Sequence, residues 1–121
     1  MKTTYETGLQ GEKAAENYLA SLGMVCLDRR YRTRSGEIDL IMRDGETLVF
    51  VEVKTRKTGD AGLGLMAVGA AKQQRIARAA RVYLMKTGQM NQAVRFDAVE
   101  VTRDEVLHIP NAFQPGGMFF R

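Results

Sequence analysis

The sequence predicts an α/β domain: a central mixed β-sheet flanked by helices, in the order αβββαβ with one further short strand. Three observations carry this. An amphipathic stretch bounded by helix start and stop signals opens the chain. Two strand-like runs, 37–42 and 48–54, are separated by Asp44-Gly45, a strong short-range hairpin signal. A second helical pattern then precedes strand-like 94–101.

Thr3-Thr4-Tyr5-Glu6 fits a capping box, with Thr3 as the N-cap and Glu6 reaching back. The helix is expected to run to about Leu22 and stop at Gly23. Ala15, Tyr18, Leu19 and Leu22 recur at helical spacing as the inward stripe, and Gly8 and Gly11 on that stripe imply close approach to another element. Glu12 lies on its edge. Met24–Leu27 reads as a short strand that leads into Asp28-Arg29-Arg30-Tyr31-Arg32-Thr33-Arg34. Two readings fit this basic run: phosphate contact with base stacking on the tyrosine, or a solvated edge strand guarded by charge.

Val49-Phe50-Val51-Glu52-Val53-Lys54 is apolar and β-branched, yet carries a carboxylate and an amine. Strand side chains alternate, so Phe50, Glu52 and Lys54 share one face and Val49, Val51 and Val53 the other. Charges beside such a run are costly to desolvate unless they pair, bind metal or perform chemistry. Taken alone, Glu-x-Lys reads as a strand-end salt bridge. The hairpin adds to it. A two-residue loop at Asp44-Gly45 sets Asp39 opposite Phe50, and a four-residue loop sets it opposite Glu52. Both leave Asp39, Glu52 and Lys54 on one face, whereas an odd shift such as a single bulge would break the arrangement.

The stretch 56–69 is glycine-rich but lacks the Gly-Lys-Ser/Thr ending of a P-loop. The second helix, roughly Val68–Lys86, buries Ile76, Ala79, Ala80, Tyr83 and Leu84, with Arg75, Arg78 and Arg81 on the opposite face and Gln73 on the margin of the inward stripe. Gly88 ends it. Val94–Val101 reads as a strand, Asp104-Glu105 as a turn and Val106–Ile109 as a last strand. His108 has no cysteine or second histidine near it to form a nucleophilic pairing. The tail 111–121 holds Phe113, Met118, Phe119 and Phe120 and is expected to dock on the core, cover an edge or join a partner.

At 121 residues, one domain with a substantial core is expected. Cys26, the single cysteine, excludes an internal disulfide and a Cys-rich zinc site. No apolar run approaches bilayer-spanning length and no signal-peptide pattern opens the chain, so no membrane partner is expected and a cytoplasmic protein fits. Lys and Arg exceed Asp and Glu by 18 to 14, a balance compatible with nucleic acid.

A helix-borne acid, an aspartate on one strand and Glu-x-Lys on its partner form a coherent set. Convergent carboxylates suit Mg²⁺ or Mn²⁺, which prefer oxygen ligands. A metal there polarises a phosphodiester, and Lys54 positions or deprotonates water or offsets charge developing at phosphorus. The base role requires a depressed lysine pKa.

Gly11-Glu12-Lys13-Ala14-Ala15, Gly36-Glu37-Ile38-Asp39-Leu40-Ile41, Val49–Lys54, Lys72-Gln73 with Arg75-Ile76, Arg95-Phe96-Asp97 and Asn111-Ala112-Phe113 resemble the YraN family of uncharacterised bacterial proteins. The resemblance covers nearly the whole chain and lies in the ordered combination. It implies the restriction-endonuclease-like, or PD-(D/E)xK, superfamily and similarity to archaeal Holliday-junction resolvases. Asp39 and Glu52 are then metal ligands assisted by the Val53 carbonyl, Lys54 is the catalytic lysine, Glu12 the helix-borne acid, and Gln73 a further site residue. Ile38 stands where the superfamily's name has proline, and Arg30 where asparagine is common, so no role passes to Arg30 by resemblance.

The expected function is a Mg²⁺- or Mn²⁺-dependent endonuclease hydrolysing phosphodiester bonds in DNA, with branched or junction DNA as a candidate substrate; the sequence does not decide between DNA and RNA. Arg29, Arg30, Arg32, Arg34, Arg56, Lys57 and Lys72 are the expected nucleic-acid contacts. A homodimer is a further expectation, resting on the resemblance and the apolar tail. The alternative is a non-catalytic nucleic-acid-binding or assembly protein that retains the nuclease fold. A purely structural basic domain leaves the acids on the apolar strands unexplained.

Overall fold

The computed structural model of the chain describes residues 4–56, 69–103 and 105–115, with side chains in the first helix from residue 8 onward. Thr3 of the expected capping box, most of the glycine-rich stretch, Lys57, Asp104, and Met118, Phe119 and Phe120 of the tail lie outside these residues.

Helix α1 spans Thr4–Ser21. Its end is set by Gly23, whose φ of +96° disfavours a side chain; the Gly23 amide donates to the Ala20 carbonyl and the Met24 amide to that of Leu19. Ala15 and Leu19 are buried as expected, but Tyr18 and Leu22 are exposed. The helix rests on the line Gly11–Ala15–Leu19, where small residues permit close contact and Gly11 abuts Thr55. Tyr18 lies off that line, its ring edge-on to His108 at 6.1 Å.

Strands β1 (Val25–Arg32), β2 (Glu37–Asp44) and β3 (Thr47–Thr55) form an antiparallel meander. Thus the basic run is itself strand through Arg32, at the sheet edge. Helix α2 (Ala70–Lys86) leads to β4 (Ala93–Val101), which pairs in parallel with β3, and β5 (Val106–Ile109) adds antiparallel to β4. Among the described residues the sheet is five-stranded and mixed, in the order β1-β2-β3-β4-β5. No described helix is long and apolar enough to cross a membrane.

The two helices cover opposite faces of the sheet. On one, Ala15 and Leu19 of α1 meet Leu40, Met42, Val49, Val51 and Val99. On the other, Ile76, Ala79, Ala80, Tyr83 and Leu84 of α2, the stripe read from the sequence, pack on Ile41, Phe50 and Phe96. Rings continue through this second core: Tyr31 meets Tyr83 at 5.3 Å, Phe50 meets Phe96 at 5.5 Å, and Phe96 meets Phe113 at 5.4 Å. Each such pair contributes about 0.5–1.5 kcal/mol beyond the area it buries. Phe113 therefore docks on the core, and the Ala112 amide holds it there by donating to the Phe96 carbonyl.

Gly36 carries another close approach. A Cβ added there would stand 2.8 Å from the Arg75 carbonyl oxygen, so only glycine lets the start of β2 lie against the backbone of α2. This contact brings the first turns of α2 to the end of the hairpin that bears Asp39 and Glu52.

Candidate active site

The β2–β3 register pairs Leu40 with Val51 and closes at Asp44–Thr47 around a two-residue tip, Gly45-Glu46. The turn is thus shifted one residue from Asp44-Gly45, and the register is the one that, extended by one residue, sets Asp39 opposite Glu52. Regular pairing stops there. The Val53 amide donates to Asp39 Oδ2 at 2.7 Å in place of a ladder bond. Ile38 packs on the α2 side and Leu40 on the α1 side, so strict alternation breaks between them. The irregularity extends into β1. Between the Arg29–Leu40 and Tyr31–Ile38 pairs the facing residues are Arg30 and Asp39, and Arg30 has a φ of +49°. The break falls beyond Asp39, at Ile38, so Asp39 keeps the face of Ile41 and lies toward Glu52.

Glu52 is buried, with Phe50 and Lys54 on its face as alternation required. Its Oε2 is paired with Lys72 of α2, and Lys54 Nζ lies 3.9 Å from the same oxygen. Asp39 is pushed up to about 8 by burial, by its hydrogen bond to Glu52 and by the Glu52 charge, against the opposing Val53 amide. Near neutral pH the acid pair therefore holds a proton. Lys54 is held below the usual lysine range, first by its hydrogen bond to Lys72, then by burial and the Lys72 charge. Burial works against the Lys72 ammonium too, but its hydrogen bonds to Glu52 and Lys54 prevail and raise it. The two lysines are thus shifted in opposite directions, Lys72 toward the ammonium form and Lys54 toward the neutral amine.

Glu12 lies close enough for its charge to act on Asp39, and that of Glu52 acts on it in turn. Its carboxylate is nevertheless bound in a fork by Arg30, at 2.9 and 3.1 Å. Burial raises the Glu12 pKa in spite of that guanidinium. Arg29 makes the equivalent fork with Glu16, at 2.7 Å for both bonds, and Arg32 pairs with Glu37 at 2.7 Å. The basic run therefore faces acids of its own chain at three positions; Arg34 is exposed, and so is Arg56, which lies near Glu100. Gln73 is half-buried beside Lys72 in the first turn of α2. Lys72, expected at a phosphate, is bound to Glu52.

Sequence reasoning missed two buried acids. Glu100 of β4 is in register with Lys54, and its Oε2 lies 3.8 Å from Arg56 Nε. The parallel β3–β4 register that brings it there has no local sequence signal. Glu16 falls in the helical repeat one turn after Glu12, and the arginine pair at 29–30 was the available clue to both forks.

The donor chemistry fits a hard divalent cation. Mg²⁺ is commonly held through one or two carboxylates and keeps several waters, and Asp39 and Glu52 supply such a pair of acids. Among the described residues no three acidic, histidine or cysteine side chains are gathered to hold an ion. Glu12 is the nearest further acid, and it is engaged by Arg30.

An α/β domain with a mixed five-stranded sheet between two helices, carrying an acid pair and a lysine pair where its central hairpin splays, is the class of protein defined here, and it is consistent with a restriction-endonuclease-like architecture. The chain belongs to the uncharacterised protein family UPF0102, whose model matches residues 11–101, in agreement with the YraN resemblance. A UPF0102 protein of Geobacter metallireducens is 43% identical over 111 residues, covering 88% of this chain and 91% of its own length. One from Anaeromyxobacter dehalogenans is 45% identical over 114 residues, 91% of this chain and 85% of that protein. Another, from Symbiobacterium thermophilum, reaches 51% over 94 residues, 78% and 80% of the two chains.

Proposed function

We propose that this protein is a metal-dependent endonuclease acting on DNA, branched DNA included. The observation that supports this most is the hydrogen-bonded Asp39–Glu52 pair with Lys54 and Lys72 converging on Glu52. A binding surface needs positive charge; it gains nothing from two acids sharing a proton. When bound, Mg²⁺ or Mn²⁺ would supply Lewis acidity toward the phosphodiester. Asp39 and Glu52 are the residues that would hold it. Lys54, with its depressed pKa, is suited to take a proton from the attacking water. Lys72 pairs with Glu52 and orients it, and the exposed Arg34 and Arg56 would meet phosphates.

Cleavage of linear, flapped and four-way DNA, with and without Mg²⁺ or Mn²⁺, tests this. Metal-dependent cutting that is lost in Asp39→Asn supports it. A junction substrate calls for two such sites, and hence a homodimer, which light scattering in the presence of DNA would reveal. Phe113 is buried against Phe96 and does not serve as its contact.

The second reading, a nucleic-acid-binding or assembly protein without cleavage, draws on the Arg30–Glu12 fork, which leaves two acids in place of three. Salt-sensitive DNA binding with no cleavage under any metal would select it.

A further inference from the structure

Arg30 has no role by resemblance, and its backbone is irregular. A φ of +49° in a strand is uncommon for a residue with a long side chain. The strain is compensated by what it accomplishes: the guanidinium leaves the sheet toward α1 and grips Glu12 with two bonds. Gly8, one helical turn before Glu12, lies alongside the guanidinium: a Cβ there would stand 4.0 Å from Arg30 Nη2, an ordinary contact distance. In the β1–β2 pairing Arg30 falls opposite Asp39, between the Arg29–Leu40 and Tyr31–Ile38 pairs, and the charge of Glu12 acts on Asp39. A cavity of about 190 Å³ adjoins the fork; besides Glu12 and Arg30 its lining includes Leu9 and Leu40, the acid Glu16 and the cations Lys13 and Arg29.

We propose that Arg30 is a built-in counter-ion that competes with a divalent cation for Glu12 and so sets the metal affinity of the Asp39–Glu52 site. This rests on the metal-binding reading of that site. With Arg30 in place, Glu12 is spoken for and the site offers two carboxylates. If the guanidinium swings into the adjoining cavity, Glu12 becomes available as a third oxygen donor. The cation and Arg30 exclude one another at Glu12, because both require the same carboxylate oxygens and repel each other at short range.

Calorimetric titration of the full chain with MnCl₂, without DNA, tests the proposal. Arg30→Asn keeps a residue that tolerates the left-handed conformation and removes the charge. It is expected to bind Mn²⁺ on the order of tenfold more tightly than the parent, the scale on which groups contacting ligands tune metal affinity. Adding Glu12→Gln to Arg30→Asn is expected to abolish the gain. Arg30→Gln provides a second charge-free variant, and thermal melts confirm that each is folded. A parent that binds Mn²⁺ while both Arg30 variants bind no tighter overturns the counter-ion role and leaves the site reading standing. Mn²⁺ binding by neither the parent nor the variants overturns the site reading, and the inference with it.

Discussion

Lys72 and Glu52 form an ion pair that ties the first turn of α2 to the middle strand of the sheet. The pair does more than neutralise a buried acid. It places an ammonium against Lys54, and that neighbour is the largest influence holding the Lys54 pKa down. Lys72 thereby shifts Lys54 toward the neutral amine, the form that accepts a proton.

The first prediction concerns Lys54 itself. Lys54→Ala is expected to lower metal-dependent cleavage by about 10²-fold or more, the scale of a lost acid–base or electrostatic group. DNA affinity should change little, since one cation among many contributes modestly. Lys54→Arg should not rescue, because a guanidinium stays charged and has another shape. Cleavage that persists undiminished in Lys54→Ala would identify a contaminating nuclease.

The second is a pH dependence of stability in the metal-free protein. Asp39 has a folded-state pKa of about 8, above its ordinary carboxylate value of 3.8. Its contribution to stability is therefore fully present below about pH 4 and is lost as pH rises through about 8. Asp39→Asn, which cannot ionise, should gain on the parent as pH rises across that window. Thermal melts in EDTA at pH 5 and pH 8.5 measure the difference, and equal shifts for parent and variant would contradict it.

A third prediction concerns β4, on the other side of β3 from the strand that carries Asp39. Asp97 is fully buried and accepts hydrogen bonds from Arg95 in a fork, from His108 Nε2 if that nitrogen is protonated, and from the Asn111 amide. Asp97→Ala strands these donors and should cost about 3–5 kcal/mol in urea unfolding, the usual penalty for removing one member of a buried ionic network. A loss below 1 kcal/mol would show that the network contributes little.

The fourth concerns Gly36. An alanine there drives its methyl into the Arg75 carbonyl and is expected to cost about 1–3 kcal/mol, as overpacking does. Because the contact joins α2 to β2, the same substitution should also weaken Mn²⁺ binding by displacing Lys72 and Asp39 relative to one another. Unchanged stability in Gly36→Ala would mean that α2 yields without penalty.

The α2 stripe and the hairpin were legible because periodicity reports which side chains face inward, and each depends on residues near in sequence. Asp39, Glu52 and Lys54 were legible for the same reason, since one hairpin carries all three. Tyr18 and Leu22 misled because a helix with glycine and alanine along one line can rest on that line and leave its larger residues outside. Lys72 at Glu52, Glu100 beside Lys54, and the two arginine forks were not legible. Each depends on where one element docks against another, and only the assembled sheet decides that.

The parallel pairing of β3 with β4 has a consequence for how the chain is made. The β1–β2–β3 meander closes through short turns, so it can form early. The far edge of β3 must wait for β4, with residues 56–92 between them. Until then Leu48–Val53 presents an open apolar strand edge, a template for pairing with another unfinished chain. Ribosomal synthesis that stalls within α2 should therefore yield aggregates, whereas release after Val101 lets β4 seal that edge.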